Sequence, residues 1–203
     1  MTTSPIVSLS KSQIQLAGEL IARAFFDDPL SIYIWQNPAA RLKPLIKQSV
    51  STVRYGVMYG ETFTTTDVSG LVIWLKSSAD EFNVWRSIRS GLIFSPFFYG
   101  RDGLKRIMHV VNYSAEMHKK VIQEPHWYLM QIGVEPAKQR RGVGKSLLEP
   151  MLARADKEQR ACYLEMMEEK MLIFYQSFGF KVVAEGASPA GGPKIWFMVR
   201  RPQ

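Results

Sequence analysis

The 203-residue sequence has little cysteine and little histidine, with one residue of the first kind and three of the second. A single cysteine, Cys162, cannot close an internal disulfide or give a zinc site a cysteine pair, so nothing calls for an oxidising compartment. We expect Cys162 to lie buried in a strand and to be chemically inert. His109 and His118 stand nine residues apart without a partnering cysteine or aspartate, so we expect no metal site.

Long apolar runs are also absent. The longest, residues 91–100, is too short to span a bilayer, and residues 1–5 lack the cationic and apolar segments of a secretory signal. We therefore expect a cytoplasmic protein. Acidic residues are outnumbered, 18 against 26 basic ones, which leaves a net charge of +8 and directs attention to an anionic partner such as nucleic acid, a membrane surface or a phosphorylated cofactor.

The composition that remains is that of an ordinary globular protein, with 46% apolar and 22% charged residues. We expect one domain over residues 1–203. Apolar periodicity predicts helices at 10–25, 38–55, 81–93, 104–122, 142–156 and 168–178, and strands at 61–66, 71–75, 127–134, 161–165, 181–184 and 194–199. Alternating strands and helices are typical of an α/β sandwich around a mixed sheet.

An aromatic segment, Phe94 to Gly100, lies between two predicted helices and is bracketed by helix breakers. It has two interpretations. Such a loop can form the wall of a substrate pocket, or it can be a hydrophobic plug between helices, which is the commoner outcome.

The segment with recognisable chemistry is residues 139–146, between a predicted strand and a predicted helix. Two glycines let the backbone close around an anion, and the first turn of the helix offers free N–H groups and the positive end of its dipole. Three cations add charge. We interpret this segment as a phosphate cradle, with a basic helix start that binds nothing as the alternative. Its members are Gln139, Arg140, Arg141, Gly142, Val143, Gly144, Lys145 and Ser146.

Two common nucleotide motifs do not fit the cradle. A P-loop requires a glycine where Gln139 stands, and no strand ending in a magnesium-binding aspartate follows Ser146. The dinucleotide fingerprint requires a third glycine where Leu147 stands. The cradle is therefore built for some other anionic ligand.

The cradle fits the pattern Gln/Arg-x-x-Gly-x-Gly/Ala, after a strand that ends at Val134. With this pattern the sequence resembles the GNAT superfamily of N-acetyltransferases, most closely the small-molecule branch related to puromycin N-acetyltransferase. The resemblance runs from His126 to Val183. Its motifs are Trp127-Tyr128-Leu129, the cradle, Leu147-Leu148-Glu149-Pro150, Ala155-Asp156, Tyr163-Leu164-Glu165, Phe174-Tyr175 with Gly179-Phe180, and, more weakly, Ala24-Phe25 and Asp28-Pro29.

The resemblance implies a mostly antiparallel sheet with helices on both faces, and direct acetyl transfer from acetyl-CoA to a primary amine. The cradle would grip the pyrophosphate of coenzyme A, and the preceding strand would splay from its neighbour so that Ile132, Gly133 and Val134 meet the pantetheine arm. Residues 1–125 would form the acceptor side and residues 126–203 the acetyl-CoA-binding core.

The resemblance also implies catalytic roles. Tyr175 matches the position that protonates the departing thiolate, with a purely structural core tyrosine as the alternative. The general base is open: Glu165, at the end of a strand facing the cradle side, is the first candidate, and His126 the second. The alternatives are that Glu165 orients a backbone group and that His126 is a surface residue. Relatives usually carry an asparagine where this chain has Met171, so one polar contact to the cofactor is expected to be missing.

We therefore expect an N-acetyltransferase whose partners are acetyl-CoA and a small-molecule amine, without metal, nucleic acid or membrane, and with a homodimer possible. A non-catalytic module that binds or senses coenzyme A is the alternative, since Met171 and the altered residues before it would then record lost activity. A nucleic-acid binder lacks a supporting motif in this sequence.

Overall fold

The computed structural model describes residues 4–77, 84–90 and 96–203. In this part of the chain one sheet has the strand order β1-β2-β3-β4-β5-β7-β6, antiparallel except between β4 and β5. The strands are β1 (Ile6–Ser8), β2 (Glu61–Thr65), β3 (Gly70–Ser77), β4 (His126–Val134), β5 (Ala161–Met166), β6 (Lys181–Ala187) and β7 (Lys194–Arg200). The helices are α1 (Ile14–Ala24), α2 (Pro29–Ile34), α3 (Pro38–Tyr59), α4 (Val84–Ser90), α5 (Pro96–Val121), α6 (Val143–Lys157) and α7 (Leu172–Gln176). The predicted mixed, mostly antiparallel α/β fold is confirmed.

Helices cover both faces of the sheet, because side chains alternate along each strand. On one face, Val72 and Trp74 of β3 pack with Leu148 of α6 in a large apolar cluster. On the other face, Leu71 and Ile73 pack with α1 and α3, and a separate cluster joins β5 and β7 to α5. We call these the α6 face and the α5 face of the sheet.

Two short elements were not predicted, β1 and α2. Both are too short for apolar periodicity to be visible, since three and six residues hold less than two helical turns. The start of α2 nevertheless follows a local rule: Asp28 accepts a hydrogen bond from the N–H of Leu30 at 2.9 Å, and Pro29 occupies the first helical position. Asn37 and Pro38 start α3 in the same way.

The aromatic segment is helical where it is described, which corrects the prediction of a loop. Residues 96–100 form the first turn of α5, and the helix is interrupted at Gly100 (φ 66°, ψ 175°). Tyr99 stacks on Trp35 with ring centroids 5.3 Å apart, whereas Phe97 is 82% exposed. Phe94 and Ser95 lie outside the described residues, as do residues 81–83 and 91–93 of the predicted helix that corresponds to α4.

The last predicted helix is shorter than expected. Residues 169–171 form a single 3-10 turn, and α7 holds five residues instead of the eleven predicted from 168 to 178.

Cys162 is buried in β5 as predicted, and burial raises the pKa of its thiol to about 12, which leaves no reactive thiolate. No helix in the described ranges is both long and apolar enough to cross a membrane.

Two histidines form a buried pair, His118 on α5 and His126 at the start of β4. Their Nε2 atoms lie 2.7 Å apart, and Nδ1 of His126 lies 2.7 Å from the carbonyl oxygen of Glu124. Because a carbonyl only accepts, His126 donates from Nδ1, and its Nε2 accepts a hydrogen bond from Nε2–H of His118. Both rings are neutral in this arrangement, and both nitrogens of His126 are engaged.

We expect the histidine pair to make the protein less stable as the pH falls below 6.5. Burial is the largest cause that lowers the pKa of both histidines to about 4, with the neighbouring His126 acting on His118 and Arg160 acting on His126. Between pH 6.5 and 4 these histidines bind protons in the unfolded chain but stay neutral in the folded protein. The free energy of unfolding should therefore drop by about 2 kcal/mol by pH 5, after allowance for solvent screening.

Urea unfolding between pH 7 and 5 measures this loss of stability. The double variant His118→Gln with His126→Gln should show a shallower dependence on pH than the wild type. His109→Gln removes an exposed histidine of the same helix and should keep the wild-type slope. An unchanged slope in the double variant would show that other groups cause the loss.

Candidate active site

Strands β4 and β5 diverge after a short parallel contact. They pair only at three positions, from His126 with Ala161 to Tyr128 with Tyr163. Beyond these positions β4 stays bound to β3, and β5 to β7, up to their ends. The register of β3 and β4 shifts between Ile73 and Trp74, which leaves Met130 as an extra residue in β4. The divergence opens a gap whose edges are backbone N–H and C=O groups that an extended ligand can pair with.

The residues at the end of β4 line this gap. The side chains of Ile132 and Val134 are half-buried against the α6-face cluster. Gly133 is buried, and a Cβ atom built on it would lie 2.6 Å from Ile21 of α1. A side chain at 133 would therefore force the end of the buried Ile21 side chain to shift, so glycine favours the close approach of α1 and β4.

The cradle follows β4 and leads into α6. Arg140 has φ 60° and Gly142 has φ 85°, and Gly142 is the N-cap of α6. Within the helix, the N–H of Ser146 donates to the carbonyl oxygen of Gly142 at 3.0 Å. The N–H groups of residues 143–145 precede this bond and have no upstream helical carbonyl to donate to, so they form a ready anion site.

Contacts within the cradle hold its shape. The side-chain amide of Gln139 donates to the carbonyl oxygen of Val134 at 3.1 Å, which folds the loop back onto the strand. Lys138 forms an ion pair with Asp67 in the turn between β2 and β3, and this contact lowers the pKa of Asp67. The charge of Lys138 is therefore compensated by Asp67, and this ion pair attaches the segment before the cradle to the turn between β2 and β3.

The three cations of the cradle are exposed to solvent. Lys145 lies 3.6 Å from Glu149, both exposed. Within residues 4–77, 84–90 and 96–203, Arg140 and Arg141 have no carboxylate at ion-pair distance, and both are exposed. An anion bound at the start of α6 would therefore meet two uncompensated guanidinium groups.

The start of α6 touches α7, which carries the predicted acid. A Cβ atom built on Gly144 would lie 3.3 Å from Cζ of Phe174, and Phe174 contacts Tyr175 edge to face with centroids 5.2 Å apart. Glycine at 144 lets the two helices approach. The anion site and Tyr175 are thus linked by one aromatic side chain.

Tyr175 has an apolar environment for its ring and an uncommitted hydroxyl. The residue is 7% exposed, and its ring also packs against Phe180. Among the described residues, none makes a hydrogen bond to the hydroxyl. Burial, and then the negative charges of Asp28 and Glu168, raise the pKa of Tyr175, so the hydroxyl stays protonated at neutral pH and can donate a hydrogen bond.

Asp28 is a functional candidate that sequence analysis did not single out, because Asp28 entered there only as part of the weak motif Asp28-Pro29. Its half-buried carboxyl caps α2, and its negative charge raises the pKa of Tyr175. The negative charge of Glu168 in turn raises the pKa of Asp28. Burial raises the pKa of Asp28 to about 6, opposed by the hydrogen bond from Leu30 and reinforced by the charge of Glu168. A carboxyl with this pKa can take and release a proton near neutral pH.

A buried arginine fixes the segment that carries Asp28. Arg41, 3% exposed, donates from Nε to the carbonyl oxygen of Trp35 at 2.9 Å and from Nη1 to that of Phe26 at 3.0 Å. Its guanidinium also lies 5.0 Å from the centre of the Phe26 ring. The α1–α2 connection and the end of α2 are therefore held by one side chain.

The two base candidates from the sequence occupy other positions. Glu165 lies at the end of β5, but its side chain is on the α5 face, where it accepts a hydrogen bond from the hydroxyl of Tyr163 at 3.0 Å. Burial raises the pKa of Glu165. His126 is 2% exposed, so the surface alternative is wrong, and its paired nitrogens leave none for a substrate. Met171 packs, half-buried, against the α6-face cluster.

The sequence is similar to that of known acetyltransferases. Residues 101–182 match the family model of the acetyltransferase (GNAT) domain, whose members use acetyl-CoA as the acyl donor. An uncharacterized N-acetyltransferase of Schizosaccharomyces pombe is 27% identical over 171 residues, which are 81% of this chain and 69% of that protein.

Solved structures share the fold. The Corynebacterium glutamicum protein called histone acetyltransferase HPA2 and related acetyltransferase superposes with a TM-score of 0.71 at 19% identity, covering 100% of this chain and 98% of that one. The polyamine N-acetyltransferase of Drosophila melanogaster superposes with a TM-score of 0.59 at 14% identity, covering 97% and 99%. Residues 101–182 of this chain therefore resemble a GNAT acetyltransferase domain, and the chain as a whole shares the fold of these solved acetyltransferases.

Proposed function

We propose that this enzyme transfers the acetyl group of acetyl-CoA directly to a primary amine of a small molecule, in the gap between β4 and β5. The observation that carries the proposal is the buried hydroxyl of Tyr175, which has no hydrogen-bond partner among the described residues, lies within electrostatic range of the carboxyl of Asp28 and is linked through Phe174 to the anion site. A single bound acetyl-CoA would then extend from the anion site through the gap between β4 and β5 to Tyr175 and Asp28.

The donor would be held by the backbone more than by side chains. The N–H groups of residues 143–145 would bind the pyrophosphate, with Arg140, Arg141 and Lys145 adding charge, and Ser146 lies one turn into the helix. The open edge of β4 at Ile132, Gly133 and Val134 would pair with the amides of the pantetheine arm. The thioester supplies an activated acyl carbon, and no covalent enzyme intermediate is required.

The proton balance assigns a role to each catalytic side chain. An ammonium substrate first gives a proton to Asp28, and the free amine then attacks the thioester carbon, forming a C–N bond. When the C–S bond breaks, Tyr175 donates a proton to the leaving sulfur. The attacking nitrogen loses a second proton as it becomes an amide, and that proton replaces the one that Tyr175 gave. Asp28 then releases its proton to solvent, so both groups return to their starting states.

Asp28 fits the base role better than Glu165. The charges that act on the hydroxyl of Tyr175 come from Asp28 and Glu168. Glu165 lies on the α5 face and is engaged with Tyr163. A base has to reach the nitrogen that attacks the carbon next to the sulfur, so the carboxyl near Tyr175 is preferred.

The acceptor would enter from the side formed by residues 1–125, and residues 126–203 would form the donor core of the same single domain. Asp28 and the stacked pair Trp35 and Tyr99 belong to the acceptor side. The fold is shared with an enzyme named for polyamine acetylation, which supports an amine as acceptor.

Thiol release with a panel of small primary amines, combined with calorimetry of coenzyme A binding, tests the proposal. We expect turnover with at least one amine and measurable heat with coenzyme A at low salt. Heat without turnover on any amine would favour the non-catalytic alternative, and absence of both would refute donor binding at the cradle.

A glycine substitution tests the cradle itself. Gly142→Ala places a Cβ atom at φ 85°, which costs about 1–2 kcal/mol at the ligand-binding turn, so the Kd for coenzyme A should rise about tenfold. Gly191→Ala is the matched control, because Gly191 also has a positive φ, 70°, but no atom lies within 4 Å of the added Cβ. Equal affinities for both variants would contradict the cradle assignment.

A further inference from the structure

The α5 face has a polar break between its two apolar clusters. Gln131 of β4 is the cross-strand partner of Ile73, and Glu165 of β5 is the partner of Phe197. Ile73 belongs to the cluster under α1 and α3, and Phe197 to the cluster under α5. Cross-strand partners share a face, so Gln131 and Glu165 both lie on the α5 face, one at the border of each cluster.

Both residues lie past the last paired position of β4 and β5. The parallel contact ends at Tyr128 and Tyr163, and Gln131 and Glu165 follow three and two residues later on the diverging strands. They therefore stand on opposite sides of the gap in which we place the thioester, and on the face from which the acceptor would arrive.

Polar atoms at this position are incompletely satisfied. The Oε1 atom of Gln131 and the hydroxyl oxygen of Ser114 on α5 are buried, and neither has a partner at full hydrogen-bond geometry in the described part of the chain. The hydroxyl of Ser114 lies near enough to the carboxyl of Glu165 to oppose the effect of burial on its pKa. Buried polar atoms without partners reduce stability, and a ligand that supplied the missing hydrogen bonds would remove this cost.

The chemistry of this cluster favours a cation. The carboxyl of Glu165 and the Oε1 atom of Gln131 accept hydrogen bonds, and Ser114 can accept as well. No lysine or arginine of the described residues pairs with Glu165, and its hydrogen bond from Tyr163 comes from a neutral group. Burial raises the pKa of Glu165. A cation bound beside the carboxyl would lower this pKa again, because it favours the charged form.

We propose that Gln131, Glu165 and Ser114 bind a second, positively charged nitrogen group of the acceptor, so that the preferred acceptor is a diamine. The inference rests on the proposed function, because it places the reacting nitrogen at Asp28 and the other nitrogen at this cluster. The apolar side chains on either side, Ile73 and Phe197, would flank the carbon chain between the two nitrogens.

Matched acceptors test the inference. Unbranched diamines of three to six carbons are compared with monoamines of the same carbon number, with kcat/KM measured from thiol release. We expect the best diamine to exceed its monoamine by at least about tenfold, which is the contribution of one charged contact. Equal kcat/KM for both members of each pair would overturn the inference while leaving the proposed function intact.

Variants of the cluster locate the effect. Glu165→Gln and Gln131→Leu should each reduce the ratio of diamine to monoamine kcat/KM to below about threefold, mainly by raising KM for the diamine. The ratio cancels any general loss of activity in the same variant. Glu185→Gln, which changes an exposed carboxylate of β6 that pairs with Lys194, is the control and should keep the wild-type ratio.

Two outcomes separate the hypotheses. A wild-type ratio in both cluster variants would place the second nitrogen elsewhere and refute the assignment. Absence of thiol release with every amine would be a failure of the proposed function, and the diamine inference would fall with it. Thermal melting and coenzyme A calorimetry identify a variant that has not folded, in which case the other cluster variant decides.

Discussion

Tyr175→Phe is expected to lower kcat about 100-fold at neutral pH, because the departing thiolate then leaves without a proton donor. The Kd for coenzyme A should stay within about twofold of the wild-type value, since the ring remains and its contacts with Phe174 and Phe180 are made by carbon atoms. Single-turnover thiol release and calorimetry measure the two quantities separately.

The pH dependence sharpens this test. The raised pKa of Tyr175 keeps its hydroxyl protonated at neutral and moderately alkaline pH, so its titration should not produce an alkaline limb of kcat below about pH 10. Phe178→Leu alters another aromatic residue of the same cluster without touching the hydroxyl, and should lower kcat much less. If Tyr175→Phe kept the wild-type kcat, the hydroxyl would be structural only.

Asp28→Asn is expected to lower kcat/KM for the amine at least about 100-fold at pH 7.5, because the amide cannot take the proton of the ammonium group. Asparagine is as good an N-cap as aspartate, so α2 should keep its start. The wild type should lose rate below pH 6 as Asp28 becomes protonated, and the variant should lack this acid limb.

Stability gives an independent check on Asp28. A pKa raised to about 6 means that the charged form is disfavoured in the fold, so the stability that this carboxyl provides when protonated is lost as the pH rises from 3.8 to 6. At pH 7.5 the Asp28→Asn variant, whose side chain is neutral, should therefore be more stable than the wild type by about 1 kcal/mol, after allowance for solvent screening. Urea unfolding of the two proteins at this pH measures the difference.

A neighbouring carboxylate serves as the control for Asp28. The side chain of Asp27 is 85% exposed and lies 3.5 Å from Arg41. Asp27→Asn changes the same formal charge one residue away and should leave both the acid limb and kcat/KM close to the wild type. If Asp27→Asn and Asp28→Asn lowered the rate equally, the effect would come from net charge and not from proton transfer.

The backbone conformation of the proposed donor site could be anticipated from the sequence, because that conformation depends on glycines at particular positions. Gly142 occupies a left-handed position and Gly144 a close helix contact, and both requirements restrict the residue type. A local pattern of glycines and cations between a strand and a helix is therefore visible without any knowledge of the fold. Tyr175 was identified through the resemblance to the GNAT superfamily, whose motifs lie mainly in the same third of the chain.

The acceptor side could not be predicted in this way, because its groups come from distant parts of the chain. Asp28 and Tyr175 are 147 positions apart in the sequence and come within electrostatic range only in the folded chain, and the residues around Asp28 give no sign of this proximity. Glu165 was identified as important, but the face to which its side chain points depends on the register of β5 with β7. Residues 96–100 were assigned to a loop because the aromatic segment is bracketed by helix breakers, whereas proline is well accommodated at a helix start, as at Pro96.

The three-residue parallel contact between β4 and β5 has a mechanical consequence. The sheet therefore consists of two antiparallel halves, β1 to β4 and β5 to β7, which are joined by only three paired positions. A donor whose amides hydrogen-bond to both strands beyond these positions would act as an additional strand, so the free energy of unfolding should be higher for the donor-bound protein than for the free protein. Slower amide exchange along residues 129–134 in the donor-bound protein would show this pairing directly.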